Sequence, residues 1–442
     1  MRRLLLSVLA AVALAFAFAA PAAADPVDEA TKTFTFTRNM HPLGFSARPV
    51  PPSGDGAERF NTDLAFWGRT AYQGTYNGFR IIDVSQPDNP VQLVDFEDCR
   101  GDQGDLVVWD HLLIRSWNAP APAGATCDGQ PVAQGFEGLH IFDVSNPRDP
   151  ALVGSVRMAA DTTPAGCGSH TATLVPDTAR GNLYVYSDGN CPGIDIVKVP
   201  LADPAGATFL HRVPAGRPCH DNGVILGSVN LVACAGGDGF TVFSIDPKLD
   251  PSAPGSIENP TQLYSKSVPG VTIGHSAAFT WDGQVLVFGH EPGGGSQAHC
   301  QATSSVTDRT IFFFAARTGE PLGSFVHDRP QTATENCTWH NYNVVPLEGR
   351  HVLVAAGYQS GTSVLDFTDP AHAREIAFAD PAPLDPNKIV LGGDWSTYWY
   401  NGHIYESDMT RGLIIWCLSD PAVAGAHLLD HANPQTQETS FT

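Results

Sequence analysis

The chain has 442 residues, and its 25 Lys and Arg against 46 Asp and Glu leave a formal charge of −21. A field of that sign excludes nucleic acid and anionic membrane surfaces as partners, because binding phosphate requires clustered Lys and Arg. Forty-three Gly, 35 Pro and only 16% charged residues exclude a mainly helical protein, since the apolar segments are short and bounded by Gly, Pro, Asn and Asp.

Residues 1–24 read as a secretory signal peptide. Arg2-Arg3 precedes an apolar run from Leu4 to Ala20, and Ala22-Ala23-Ala24 ends it before Asp25, which is the basic, apolar, small-residue order of a leader. Plain leucines follow the arginine pair, which favours the general secretory route over the twin-arginine one. Cleavage near Ala24 removes both arginines and takes the charge to −23. No later segment approaches the roughly 18 apolar residues of a membrane span. The expectation is a secreted or extracytoplasmic monomer without a membrane span.

Residues 25–59 form an N-terminal segment in which KTFTFTRNM, from Lys32, is placed as the strand that closes a ring. Residues 60–425 hold an internal repeat. Its clearest copies are GFRIIDVSQPDNPVQLVDF from Gly78, GLHIFDVSNPRDPALVGSV from Gly138, GIDIVKVPLADPAGATFL from Gly193 and GFTVFSIDPKLDPSAPGSI from Gly239. Weaker copies start at Arg309, Gly361 and Gly412, and the spacing from Gly78 to Gly412 averages about 56 residues. Each copy is a β-branched or aromatic strand, a turn rich in Asp, Ser and Pro, and usually a second strand. A second recurring element precedes each copy, at Asp63, Gly104, Ser169, Cys219, Gly274, Trp339 and Asp394. Seven leading strands matched to seven repeats predict an all-β, seven-bladed β-propeller of four-stranded antiparallel blades, because stacking blades around an axis buries both faces of each sheet and limits exposed edges. Residues 426–442 are read as a C-terminal tail.

The steps RIIDVS, HIFDVS and SVLDFT, each followed by a Pro-containing turn, resemble the LVIVD-repeat family over most of residues 60 to 421, with FFFAARTGEP the poorest match. The resemblance implies a β-propeller of the kind found in exported and surface proteins, and no particular activity.

Four successive leading strands open with histidine: His170, His220, His275 and His340. Inner strands of a propeller border the central channel, so these positions face a common region. Neutral imidazoles suit one transition-metal ion, Fe, Cu, Mn or Zn. A polar channel holding a small ligand or water, or histidines kept as scaffold, are the other readings. Asp105, Asp221, Asn341 and Asp394 are candidates to accept from the rings and orient them, or to line the channel wall. His290, Glu291 and His299, in and beside the Gly-rich EPGGGSQAHC, are read as a cover over one mouth. Carotenoid cleavage oxygenases also set four histidines on a seven-bladed propeller, but their histidines are not in consecutive blades at these intervals, so no substrate carries over. Selenium-binding proteins are a second comparison, and their N-terminal cysteine motif is absent here.

A metal-dependent oxidoreductase with a small molecule in the channel is the preferred function. A non-catalytic propeller binding protein or carbohydrate through its loops is the alternative. Among the nine Cys, Cys219–Cys234 and Cys167–Cys191 suit hairpin staples in an oxidising compartment. Cys99–Cys127 and Cys300–Cys337 are then the remaining pairs, which leaves Cys417 as a buried odd thiol.

Overall fold

A computed structural model of the protein describes residues 25–52, 59–158, 167–189, 191–246, 255–439 and 441; the leader read at 1–24 lies outside them. Seven antiparallel sheets succeed one another along the chain. The first blade comprises Asn61–Trp67, Thr70–Thr75, Gly78–Asp83 and Val91–Phe96, and each later blade repeats the order from inside to outside. The innermost strands are Asn61–Trp67, Leu106–Trp109, Thr171–Asp177, Asp221–Ile225, Gly274–Phe279, Tyr342–Val344 and Asp394–Tyr400. Each borders the next, and the last borders the first. The protein is a seven-bladed β-propeller.

The core explains why the ring holds. Seven apolar clusters each fill the gap between two neighbouring blades. Phe240, Phe279, Phe288 and Phe314, for example, join the fourth blade to the fifth, and Phe66, Tyr398 and Tyr405 join the first to the seventh. β-branched and aromatic side chains on both faces of every sheet are what such packing requires. The repeat also extends to backbone irregularity. In the first six blades the third and fourth strands slip register at the same place, between Ile81 and Ile82, Ile141 and Phe142, and onward to Val364 and Leu365. The fifth repeat, the poorest by sequence, pairs Thr310–Ala315 with Pro321–Val326 like the rest.

The seventh blade takes its outer strand from the N-terminal segment, where Met40–Ala47 pairs with Gly412–Leu418. The earlier Phe34–Phe36, within KTFTFTRNM, instead adds a fifth strand outside the sixth blade by pairing with Arg374–Pro381. The segment read as a tail is also structured. His431–Ala432 pairs with the innermost strand of the first blade and Thr436–Gln437 with that of the fourth.

Four disulfides form, Cys99–Cys127, Cys167–Cys191, Cys219–Cys234 and Cys300–Cys337. They place the folded chain in an oxidising compartment. Cys417 is free, as expected of the odd thiol, but half-buried rather than buried, because it lies opposite His41 on the pairing with the outer strand. No helix among the described residues is long and apolar enough to cross a membrane. Replacing Cys219 and Cys234 by Ala removes a cross-link over 15 residues, and is expected to lower unfolding free energy by about 3 kcal/mol, read by denaturant titration.

Candidate metal centre

All innermost strands run the same way, so the residues that open them collect at one end of the channel. His170, His220 and His340 immediately precede or lead into their strands and His275 is the second residue of its own. Their rings form one continuous row: centroids are 4.6 Å apart from His170 to His220, 3.8 Å from His220 to His275, and 4.4 Å from His275 to His340. Three of the four are anchored through Nδ1. His170 Nδ1 faces Asn118 Oδ1 at 3.2 Å, His275 Nδ1 donates to the His340 carbonyl at 3.1 Å, and His340 Nδ1 donates to the Trp395 carbonyl. An imidazole that donates from Nδ1 keeps its lone pair on Nε2, which is how metal-binding histidines are oriented.

Burial keeps most of these rings neutral. Loss of solvent, with the neighbouring His220 adding to it, drives His170 down to about 3, and burial drives His340 to about 4 against the hydrogen bond from its own Nδ1. His275 lies well below the ordinary histidine value for the same reason. His220 differs: burial opposes its charge, but Asp221 beside it outweighs burial and raises it. Asp221 is correspondingly lowered, its burial offset by His220 and by the Gln435 amide.

Asp221 holds the middle of the row. Its Oδ1 is 3.5 Å from His220 Nδ1 and its Oδ2 is 3.8 Å from His275 Nδ1, while Oδ2 accepts from Ser276 Oγ at 3.0 Å. Asn341 Oδ1 lies 3.0 Å from the same Ser276 Oγ. Asp105 sits across the cavity, with Oδ2 accepting from the Ala172 N–H at 2.8 Å. It shares a hydrogen bond with Asp63, and burial pushes both carboxyls up, Asp63 to about 6. Asp394 is not brought to this cavity. Its Oδ2 accepts the hydroxyls of Thr362 and Thr397 between the sixth and seventh blades.

Glu291 is the residue that the sequence reading placed elsewhere. It belongs not to a cover but to the centre, with Oε2 3.6 Å from His275 Nε2 and Oε1 4.0 Å from His340 Nε2. The ligand atoms of His220, His275 and Glu291 all lie within 4.8 Å of one another. Burial raises Glu291 to about 7, opposed by His220 and by the hydroxyl of Tyr358, which donates to Oε1 at 2.7 Å. Gly295, at φ +65°, explains the Gly-rich loop: a Cβ there would meet Tyr358 Oη at 2.4 Å and Glu291 Oε1 at 2.6 Å. Tyr358 itself has φ 53°, a conformation that a bulky side chain adopts at a cost and that clusters at functional positions. The signal in the sequence was the adjacency of Glu291 to the end of Val285–His290, which returns the chain to the histidine end. His290 and His299 point elsewhere: His290 Nε2 faces Thr272, and His299 Nδ1 lies 3.0 Å from Asp308.

The four histidines, Asp63, Asp105, Asp221 and Asn341 line a single cavity of about 20 Å³ together with Gln103, Thr171 and Trp395. That is the room of one water molecule or one ion. No Lys or Arg is among the lining residues. Two further Cys and His groupings, Cys99, Cys127 with His140 and Cys300, Cys337 with His327, have their sulfurs committed to disulfides.

A ring of seven four-stranded blades with a polar cluster on the axis defines the class, a β-propeller with a candidate metal centre. The LVIVD repeat model matches residues 62–96 and 132–158, the whole first blade and the outer strands of the second, so the chain is a seven-bladed β-propeller that carries LVIVD repeats in its first two blades. No curated protein sequence matches it. Similar solved structures include the Cps50 (Swd1) β-propeller domain of Myceliophteria thermophila, at 12% identity and TM-score 0.50 over 85% of this chain and 100% of that one. A chain of a mitotic checkpoint complex matches at 11% identity and TM-score 0.51, over 93% of this chain and 100% of that one. A protein from Lactobacillus plantarum matches at 12% identity and TM-score 0.51, covering 86% and 97%. At these identities the likeness is one of fold alone.

Proposed function

We propose that this propeller is an extracytoplasmic metalloprotein, matured by cleavage near Ala24, that binds one transition-metal ion through His170, His220, His275 and His340 with Glu291 as a further ligand. The observation that supports it most directly is the composition of the cavity. Four contacting imidazoles and several carboxylates surround a space the size of one ion, with no Lys or Arg among them. Buried carboxylates require a cation, a hydrogen-bond network or a proton.

The residues divide the work. The histidines would offer Nε2, the Nδ1 contacts of His170, His275 and His340 hold their rings, and Glu291 would bind as the carboxylate, its proton released to solvent. Asp63 and Asp105, hydrogen-bonded to each other, line the same cavity. Fe, Cu or Mn would supply one-electron chemistry and make the centre an oxidoreductase, whereas Zn would act as a Lewis acid. The test is elemental analysis of the purified native protein, repeated after reconstitution with each ion. Near-stoichiometric metal is expected. A folded protein that remains metal-free after every reconstitution would overturn the reading and leave a propeller that binds protein or carbohydrate through its loops.

A further inference from the structure

At the far end of the channel the chain's own residues 431–437 lie against the innermost strands of the first four blades. Innermost strands have a free edge toward the axis, where backbone groups need partners. Residues 431–437 supply them. Asn433 Oδ1 accepts from the Val108 N–H at 2.6 Å and its Nδ2 donates to the Val108 carbonyl at 2.9 Å, which satisfies the second blade. Thr436 Oγ1 donates to the Leu174 carbonyl of the third blade at 3.0 Å. The Val224 and Leu226 N–H groups of the fourth donate to the Gln435 and Gln437 carbonyls at 2.9 and 2.8 Å. His431 is held between Trp67 and Trp109, with ring centroids 4.6 and 5.0 Å away.

Within this plug one side chain reaches back up the axis. Gln435 Nε2 donates to Asp221 Oδ2 at 2.6 Å and lies 3.5 Å from Asn341 Oδ1. Its backbone has φ 53°, a left-handed conformation that costs energy in a non-Gly residue. At this turn between His431–Ala432 and Thr436–Gln437 the amide lies inside the channel.

We propose that Gln435 is a positioning residue of the metal centre, which it serves by holding Asp221, the carboxylate between His220 and His275, and that residues 431–437 make the channel blind at this end. A ligand then enters only from the histidine end, where His170 is the most exposed of the four rings. Without the amide, Asp221 Oδ2 keeps only Ser276 Oγ, and the carboxylate is free to turn from the ring row. Outer partners of metal-binding histidines commonly contribute 10–100-fold to affinity.

The inference rests on the metal reading above. Its test uses the full chain as apoprotein, titrated with Cu²⁺ against a competing chelator and followed by electron paramagnetic resonance, in wild type, Gln435→Met and Gln435→Ala. The Met variant keeps the volume and removes only the amide. Both variants are expected to bind Cu²⁺ about 10–100-fold more weakly, with an altered copper spectrum and a denaturation midpoint little changed in Gln435→Met. Unaltered affinity and spectrum in Gln435→Met would overturn the inference, as would a fall in stability with the spectrum intact, since that marks a structural role alone. A wild type that binds none of Cu²⁺, Fe²⁺, Mn²⁺ and Zn²⁺ would sink the metal reading itself, and is distinguishable because it appears before any variant is compared.

Discussion

A His220→Ala, His275→Ala variant is expected to purify folded and without metal. These two rings have the shortest centroid separation in the row, 3.8 Å, and both group with Glu291, so removing them deletes the middle of the ligand set. The loss should be on the order of 10³-fold or more in affinity, because even outer partners of a ligand are worth 10–100-fold each. Folding should survive, since neither residue belongs to the apolar clusters that join blades, and the truncated side chains face a polar cavity. Thermal denaturation separates the two effects: added metal should raise the wild-type midpoint by mass action and leave that of the variant where it is. A variant that retains stoichiometric metal would move the centre elsewhere.

Replacing Glu406 by Gln is expected to change how stability depends on pH. Glu406 is fully buried, and burial together with the nearby Asp408 raises it to about 8, while Trp416 Nε1 donates to its Oε2 at 2.7 Å. Asp394, beside it, is raised by burial and by Glu406 itself. A carboxyl whose folded value is raised contributes stability that is complete below its unfolded value near 4.5 and is lost as pH climbs through about 8. Wild type should therefore lose on the order of several kcal/mol relative to Glu406→Gln between those limits. The comparison isolates this residue from the buried histidines, such as His140 and His327, which burial drives to about 3 and which act in the opposite sense below pH 6.5. Chemical denaturation of both proteins at pH 5 and pH 8 reads the difference, and parallel curves would overturn the assignment.

The propeller was legible because its evidence is repeated. Each blade states the same strand, turn and strand, and the leading histidines fall at one place in four blades, a position that brings their rings into one row. Glu291 was misplaced because its loop is unique to the fifth blade, and a single Gly-rich segment carries no period to locate it. Gln435 and Asn433 were passed over for the same reason: two-residue strands within ordinary polar sequence leave no hydrophobic pattern. Asp394 opens an inner strand as Asp105 precedes one, yet Thr362 of the neighbouring blade and Thr397 of its own strand capture its carboxylate. Position in the repeat located backbones, while side-chain direction depended on partners from distant parts of the chain.

The strand that completes the seventh blade sets an order of events during synthesis. Met40–Ala47 is among the first segments made, but its partner Gly412–Leu418 is among the last. Through nearly the whole of translation an early strand must wait with its edge unpaired, and the intervening blades form a rising stack that cannot yet become a circle. The growing chain is thus exposed to joining with a neighbour's strand in place of its own, and closure comes only when this late pairing and the apolar contact of the first blade with the seventh have both formed.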